Sequence, residues 1–279
     1  MPTILLALTA ATFFGCSDFL GGLASRRDSA FAVTATAHVV GLVVIGAAVL
    51  LFPAPYTVGD LGWGAALGVA GGIGVTALYA ALAYGRMSVV APITAALSGS
   101  LPALFDLSRG TTVRPVSLIG LALALVAVVI VSASGHAEDR AQMPVRAVVL
   151  SIVAGVGFAF AVTFLSFASV DSGFMPLLAA RFVSVPFLLV ITFARRGRLT
   201  LAPAARWPAF GAGMLDMASN VVLLTAVRLG PLAVASVLGS LYPVVTILLA
   251  RSVLHERMHP RQRVGVALAL VAVVLTALR

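Results

Sequence analysis

Asp18, His38, Arg181 and Asp216 are ionisable residues that each stand inside a long apolar run. A charged group at the centre of a membrane helix costs roughly 2.5–3.5 kcal/mol on insertion scales, so such residues usually face a cavity or a partner. Counted from the connection Ser25–Ser29, Asp18 and His38 lie at similar depth on consecutive segments, roughly 10–13 Å in at 1.5 Å per helical residue. A carboxylate beside an imidazole there could bind and release a proton near neutral pH. The competing reading is a polar contact that docks two helices. Arg181 cannot lose its charge, and Asp216 on the next segment is its most economical partner, with Asn220 one turn along the same face. This group fits either an anionic or zwitterionic substrate or a structural ion pair. Pro102 and Pro243 lack an N–H and free a carbonyl one turn back, which makes them candidates for helix breaks or gating points.

Other polar and small residues have blander expectations. Asp106 and Arg109 are three apart at a segment end and read as an interfacial pair. Tyr79, Tyr84 and Tyr242 could line a cavity or sit at interfaces. Gly64, Gly68 and Gly72 form a stripe of small residues four apart, a surface for close helix approach.

Composition says what must position these residues. The chain is 61% hydrophobic and 10% charged, whereas charged residues alone make up about 25% of a soluble domain. A bilayer supplies the missing solvent, and a helix needs roughly 20 mostly apolar residues to span it. Runs of that kind fall at 3–24, 30–52, 61–84, 88–108, 116–134, 146–170, 174–194, 207–228, 231–250 and 264–278. The first has no basic leader and contains Asp18, so it reads as a helix of the mature protein rather than a signal peptide. The longest connections, Gly135–Val145 and Arg195–Arg206, leave no room for a soluble catalytic domain.

The pattern also repeats. Gly120–Val131 and Gly265–Thr276 share nine of twelve positions at an offset of 145 residues. The same offset, without a gap, pairs Pro115 with Pro260, Gly85 with Gly230, Gly68 with Gly213 and Phe13 with Phe158. Self-similarity at a fixed period means one unit used twice. Five spans per unit is an odd number, so the second copy enters the membrane from the opposite face. The fold expected is all-α and polytopic: ten transmembrane helices as two inverted five-helix repeats, 1–134 and 146–279. That architecture recurs in secondary transporters, with the substrate site where the halves meet. Segments five and ten carry no polar face and belong at the lipid-facing periphery.

Several chemistries are disfavoured. His255-Glu256-Arg257-Met258-His259 matches the zinc protease motif H-E-x-x-H, and an intramembrane zinc metalloprotease is the rival from another class. Against it, Pro260 disturbs helical geometry at His259, and no Asp or Glu follows Glu256 to supply a third ligand. No phosphate-binding G-x-x-x-x-G-K-[ST] loop is present, so direct use of ATP is not expected. Nothing implies a cofactor, a resident metal or an enzymatic activity. The lone Cys16 allows no intrachain disulfide. The net charge of +9 comes from arginines at segment ends, which points to lipid headgroups rather than nucleic acid.

The chain resembles the EamA-like proteins of the drug/metabolite transporter superfamily. The resemblance rests on Phe14-Gly15-Cys16-Ser17-Asp18-Phe19-Leu20-Gly21-Gly22, Ser88-Val89-Val90-Ala91-Pro92-Ile93, Leu241-Tyr242-Pro243 and His255-Glu256-Arg257. Phe14 replaces a frequent Trp, and Arg109-Gly110-Thr111 stands where the second repeat keeps Glu256-Arg257. The resemblance implies transport of small organic metabolites or drugs, usually as efflux and often coupled to protons. All eighteen basic residues are arginine, a bias expected of a GC-rich bacterial genome, and so of a bacterial plasma (inner) membrane.

Orientation brings two expectations into conflict. Odd connections hold thirteen arginines, while even connections and the C-terminus hold Arg109, Arg114, Arg228 and Arg279. The positive-inside rule puts both termini outside; the resemblance implies both inside.

Overall fold

The computed structural model describes residues 2–85, 87–111, 115–133, 144–196 and 199–254, with isolated positions from 260 to 275. Helix is the only extended secondary structure among the described residues. Lipid offers backbone groups no hydrogen-bond partner, so a spanning segment must satisfy them internally. The first half of the chain supplies α1 (Pro2–Ser25), α2 (Ala30–Leu51), α3 (Val58–Tyr84), α4 (Met87–Ser108) and α5 (Pro115–Ala133). The second supplies α6 (Val145–Phe167), α7 (Met175–Arg196), α8 (Pro203–Leu229), α9 (Leu232–Gly239) and α10 (Tyr242–Leu254).

Local signals set the ends. Thr57 caps α3 in a capping box with Asp60: Asp60 N donates to Thr57 Oγ1 at 3.2 Å, and Thr57 N donates to Asp60 Oδ2 at 2.8 Å. Pro115 and Pro203 open their helices where a missing N–H costs nothing. The turns after α4 and before α7 use Gly110 and Gly173 at φ 84° and 53°, backbone that side chains rarely adopt.

Seven helical segments are long and apolar enough to cross a membrane: α1, α2, α3, α6, α7, α8 and the α9–α10 unit Leu232–Val253. Shorter apolar stretches, Ile93–Ser108 and Leu118–Ala127, lie in α4 and α5. The chain is therefore a multi-pass membrane protein. The expected tenth segment, 264–278, falls largely outside the described residues, as do His255–His259.

Helices adjacent in sequence are not the main neighbours in space. α1 packs most extensively on α8, and α3 on α6, while α2 lies against α7 and α8 and barely touches α1. Glycines permit these approaches. A Cβ on Gly68 of α3 would strike the backbone of Ala180 in α7, and one on Gly213 of α8 would strike the backbone of Ala37 in α2. Gly64 and Gly72 extend the first contact along Pro176 and Ser184, so the glycine stripe is a seam between α3 and α7. α5 contacts α4 and α9 and keeps to the periphery.

Candidate functional site

A cavity of about 90 Å³ lies at the centre of the bundle between the two halves. From the first half, Asp18 and Phe14 of α1, Tyr79 of α3 and Ser98 of α4 face it. From the second come Arg181 of α7, Asp216 and Asn220 of α8, and Ser236, Ser240 and Tyr242 around the α9–α10 junction. On this measure one water needs about 10–15 Å³. The space therefore holds a handful of waters and falls short of the roughly 300–1,000 Å³ of a small-molecule pocket.

Arg181 is the hub of its charges. Its Nη2 donates to Asp216 Oδ2 in a buried ion pair, as the sequence leads one to expect. Its Nη1 lies 3.2 Å from His38 Nδ1 and 3.4 Å from Nε2. His38 Nδ1 also shares a 2.8 Å hydrogen bond with Ser184 Oγ, one turn along α7 from Arg181. Asn220 Nδ2 donates to the Asp216 carbonyl at 2.7 Å, which secures α8 locally. Arg181 Nε is buried without a hydrogen-bond partner, packed towards Gly41 of α2.

The expected Asp18–His38 pair does not form. Because α2 leans on α7 and α8 rather than on α1, His38 meets Arg181 and Ser184. Asp18 instead faces the cavity, buried, and has no hydrogen-bond partner among the described residues. The residues beside it are fixed: Ser17 Oγ donates to Ala212 O of α8 at 2.9 Å, and Thr246 Oγ1 of α10 donates to Gly15 O at 3.2 Å. The cavity thus holds two carboxylates against one guanidinium, and the guanidinium is already paired with Asp216.

The two candidate prolines part company. A tight turn at Ser240–Leu241 interrupts the helix, and Pro243 is the second residue of α10, where its missing N–H breaks no bond. Ser240 N donates to Ser236 O at 2.9 Å and Leu241 N to Leu238 O at 3.2 Å, so the junction tightens rather than unravels. Ser236, Ser240 and Tyr242 reach the cavity from it. Pro102, by contrast, sits inside an uninterrupted α4 and is not a break. Tyr79 and Tyr242 line the cavity, whereas Tyr84 is half exposed at one end of the bundle.

Carboxylates at the bundle ends tie the halves together. At one end, Asp28 Oδ2 accepts from Ala202 N at 2.7 Å, and its Oδ1 pairs with Arg196 at 2.7 Å. At the other, Asp60 Oδ1 accepts from Ser169 N at 2.6 Å, while Arg228 donates to Ser169 O and Ser172 Oγ at 3.0 and 2.8 Å. Asp106 does not pair with Arg109. Its Oδ2 accepts from Ala233 N at the start of α9 at 2.8 Å, and Arg109 lies 5.6 Å from the ring centres of Phe105 and Phe167. Asp60 and Ser184 went unnoticed in the sequence. Thr57-x-x-Asp60 carries a capping-box signal; a lone serine in an apolar helix carries none.

Among the described residues, no group of three or more His, Cys, Asp or Glu could hold a metal ion. Multiple apolar spans around a central cavity and a buried charge network define a multi-pass membrane protein. Residues 145–278 match the family model described as the EamA-like transporter family, and that half of the chain belongs to it. No curated protein matches the chain. A solved structure titled "Crystal structure of protein" is similar with a TM-score of 0.71 at 18% identity, covering 98% of this chain and 95% of that one. At that identity it shows the shared fold.

Proposed function

We propose that this chain is a secondary transporter that exports small organic metabolites or drugs across a bacterial inner membrane in exchange for protons. The observation that carries the proposal is Asp18, a buried carboxylate without a hydrogen-bond partner in a cavity between the halves. With Arg181 committed to Asp216, the open charge in the cavity is negative. A protonated amine fits that site, on an organic cation or a zwitterion, and so does a proton. Mutual exclusion of the two on one carboxylate, coupled to alternating access at the repeat interface, is antiport. His38 serves to hold Arg181 rather than to carry the proton.

The halves 1–134 and 146–279 act in this scheme as inverted repeats that rock around the cavity. Gly68 and Gly213, equivalent under the 145-residue offset, supply the tight approaches α3–α7 and α8–α2, and the pairings α1–α8 and α3–α6 exchange under the same offset. Growing the central cavity means releasing the end contacts at Asp28 and Asp60 in turn. The partners of the chain are then its substrate, the lipid bilayer and protons.

The test is proton release on binding. Purified protein in weakly buffered detergent solution is titrated with amines and amino acids that an efflux screen has identified. At a pH where the substrate-free Asp18 holds its proton, wild type is expected to release protons as substrate binds. Asp18→Asn is expected to release none, and equal release from both proteins would overturn the proposal.

A further inference from the structure

A second, much larger space lies at the bundle end that holds the odd-numbered connections. It is a groove of about 1,120 Å³. Its floor is the outer face of α3, where Ala77, Ala80 and Ala83 recur every three residues. α6 and α7 form its walls: both pack on α3 and scarcely touch one another. The walls are apolar and accessible, with Val153 of α6 and Phe187 of α7 exposed by 39% and 47%, and Ile73 of the floor by 42%. The mouth is cationic. Among the described residues, Arg26, Arg146, Arg195 and Arg196 line it against a single carboxylate, Asp28.

These arginines are presented rather than neutralised. The Arg146 guanidinium lies 4.5 Å from the ring centre of Tyr84, and that of Arg195 lies 4.7 Å from Phe31. Cation–π stacking of this kind leaves the edge donors of the fork available. Neither arginine has an ion-pair partner among the described residues, and nor does Arg26. Arg196 pairs with Asp28 through Nη2, yet its Nη1 is buried without a hydrogen-bond partner. A ligand oxygen at the mouth would satisfy it.

From this geometry we infer that the groove binds an anionic phospholipid, with the phosphate at the Arg146–Arg195–Arg196 mouth and an acyl chain along the alanine floor of α3. Both parts of the ligand are needed. Among the described residues the mouth has an excess of three positive charges, the pattern by which basic pockets between membrane helices take lipid headgroups. The floor and walls offer an apolar trough that an acyl chain would cover and a free anion would leave bare. The inference does not depend on transport, since the groove lies outside the central cavity.

Native mass spectrometry of the full chain, stripped of lipid and titrated with phosphatidylglycerol or phosphatidylcholine, tests the site. Wild type is expected to retain one phosphatidylglycerol in preference to phosphatidylcholine. Each arginine near the surface contributes roughly fivefold in affinity, so the doubly substituted Arg146→Gln/Arg195→Gln protein should bind phosphatidylglycerol about 25-fold more weakly. Ala80→Phe, which fills the floor and leaves the arginines in place, should also lose the lipid. Arg27→Gln, an exposed charge at the same end outside the groove, should bind as wild type does. Equal retention of the two lipids overturns the inference, as does phosphatidylglycerol binding unaltered in both the arginine and Ala80 proteins. Displacement of the lipid by sn-glycerol-3-phosphate at equal concentration would overturn it too, because the apolar trough would then contribute nothing.

Discussion

Arg181 shows how one side chain organises a buried site. Its guanidinium must stay charged, so the fold surrounds it with Asp216 on α8 and His38 on α2, and Ser184 completes the set. Removing one partner of a buried ion pair typically costs about 3–5 kcal/mol, because the other charge is stranded. Arg181→Gln should therefore lower the thermal unfolding midpoint in detergent sharply, and adding Asp216→Asn should recover most of the loss. Ser184→Ala removes a single hydrogen bond from His38 and should cost about 1 kcal/mol by the same measurement. The Arg181–Asp216 pair was legible in the sequence because an arginine in an apolar helix demands an anion and one stood on the next segment. The partners of His38 were not. Depth along a helix can be counted from the nearest connection, but the helix a residue faces depends on packing, and α2 turned out to face α7.

At the scale of the elements, composition located the spans and the glycines decided how closely they approach. Gly68 and Gly213 sit against backbone, where any Cβ collides. Gly62 of the same helix α3 as Gly68 has nothing within 4 Å of a built Cβ. Overpacking a tight contact typically costs about 1–3 kcal/mol, whereas an open helical glycine gains from a better helix former. Gly68→Leu and Gly213→Leu are expected to destabilise the protein by at least that amount, and Gly62→Leu to leave its melting temperature unchanged or raised. The prolines teach the opposite lesson about legibility. Pro102 and Pro243 are chemically equivalent in the sequence, yet only the second lies beside an interruption, the turn at Ser240–Leu241. A missing N–H permits a break; whether the chain uses it depends on what packs alongside, here Gly99 of α4 against the Ser240 side chain.

The whole molecule is two halves laced through one another, with α1 held by α8 and α3 by α6. The 145-residue offset is legible as self-similarity in the sequence, but it does not tell that helices pair mainly across the halves. Such long-range pairings leave no local trace in sequence. The two ends differ in character: the connections after α1, α3, α5, α7 and α10 bear thirteen of the eighteen arginines, and the large groove opens at that end, while the turns after α2 and α6 meet at Asp60 and Ser169. The charge bias predicts that the arginine-rich end is cytoplasmic. In a protein with Cys16→Ser, a cysteine at Val170, which is 66% exposed, should react with an impermeant maleimide added to intact cells. A cysteine at exposed Arg27 should react only after the cells are opened. The reverse pattern would place the termini inside, as the family resemblance implies.

Proton-coupled exchange through Asp18 is tested most directly in reconstituted vesicles with an imposed pH gradient and a substrate taken from the efflux screen. Asp18→Asn keeps the size and hydrogen-bonding capacity of the side chain and removes its charge and proton. Wild type should accumulate substrate against its gradient when the pH gradient is imposed. Asp18→Asn should still exchange labelled for unlabelled substrate, with no uphill accumulation at any gradient. Uphill transport by Asp18→Asn with a pH profile like that of wild type would contradict the proposal and leave Asp18 a packing residue.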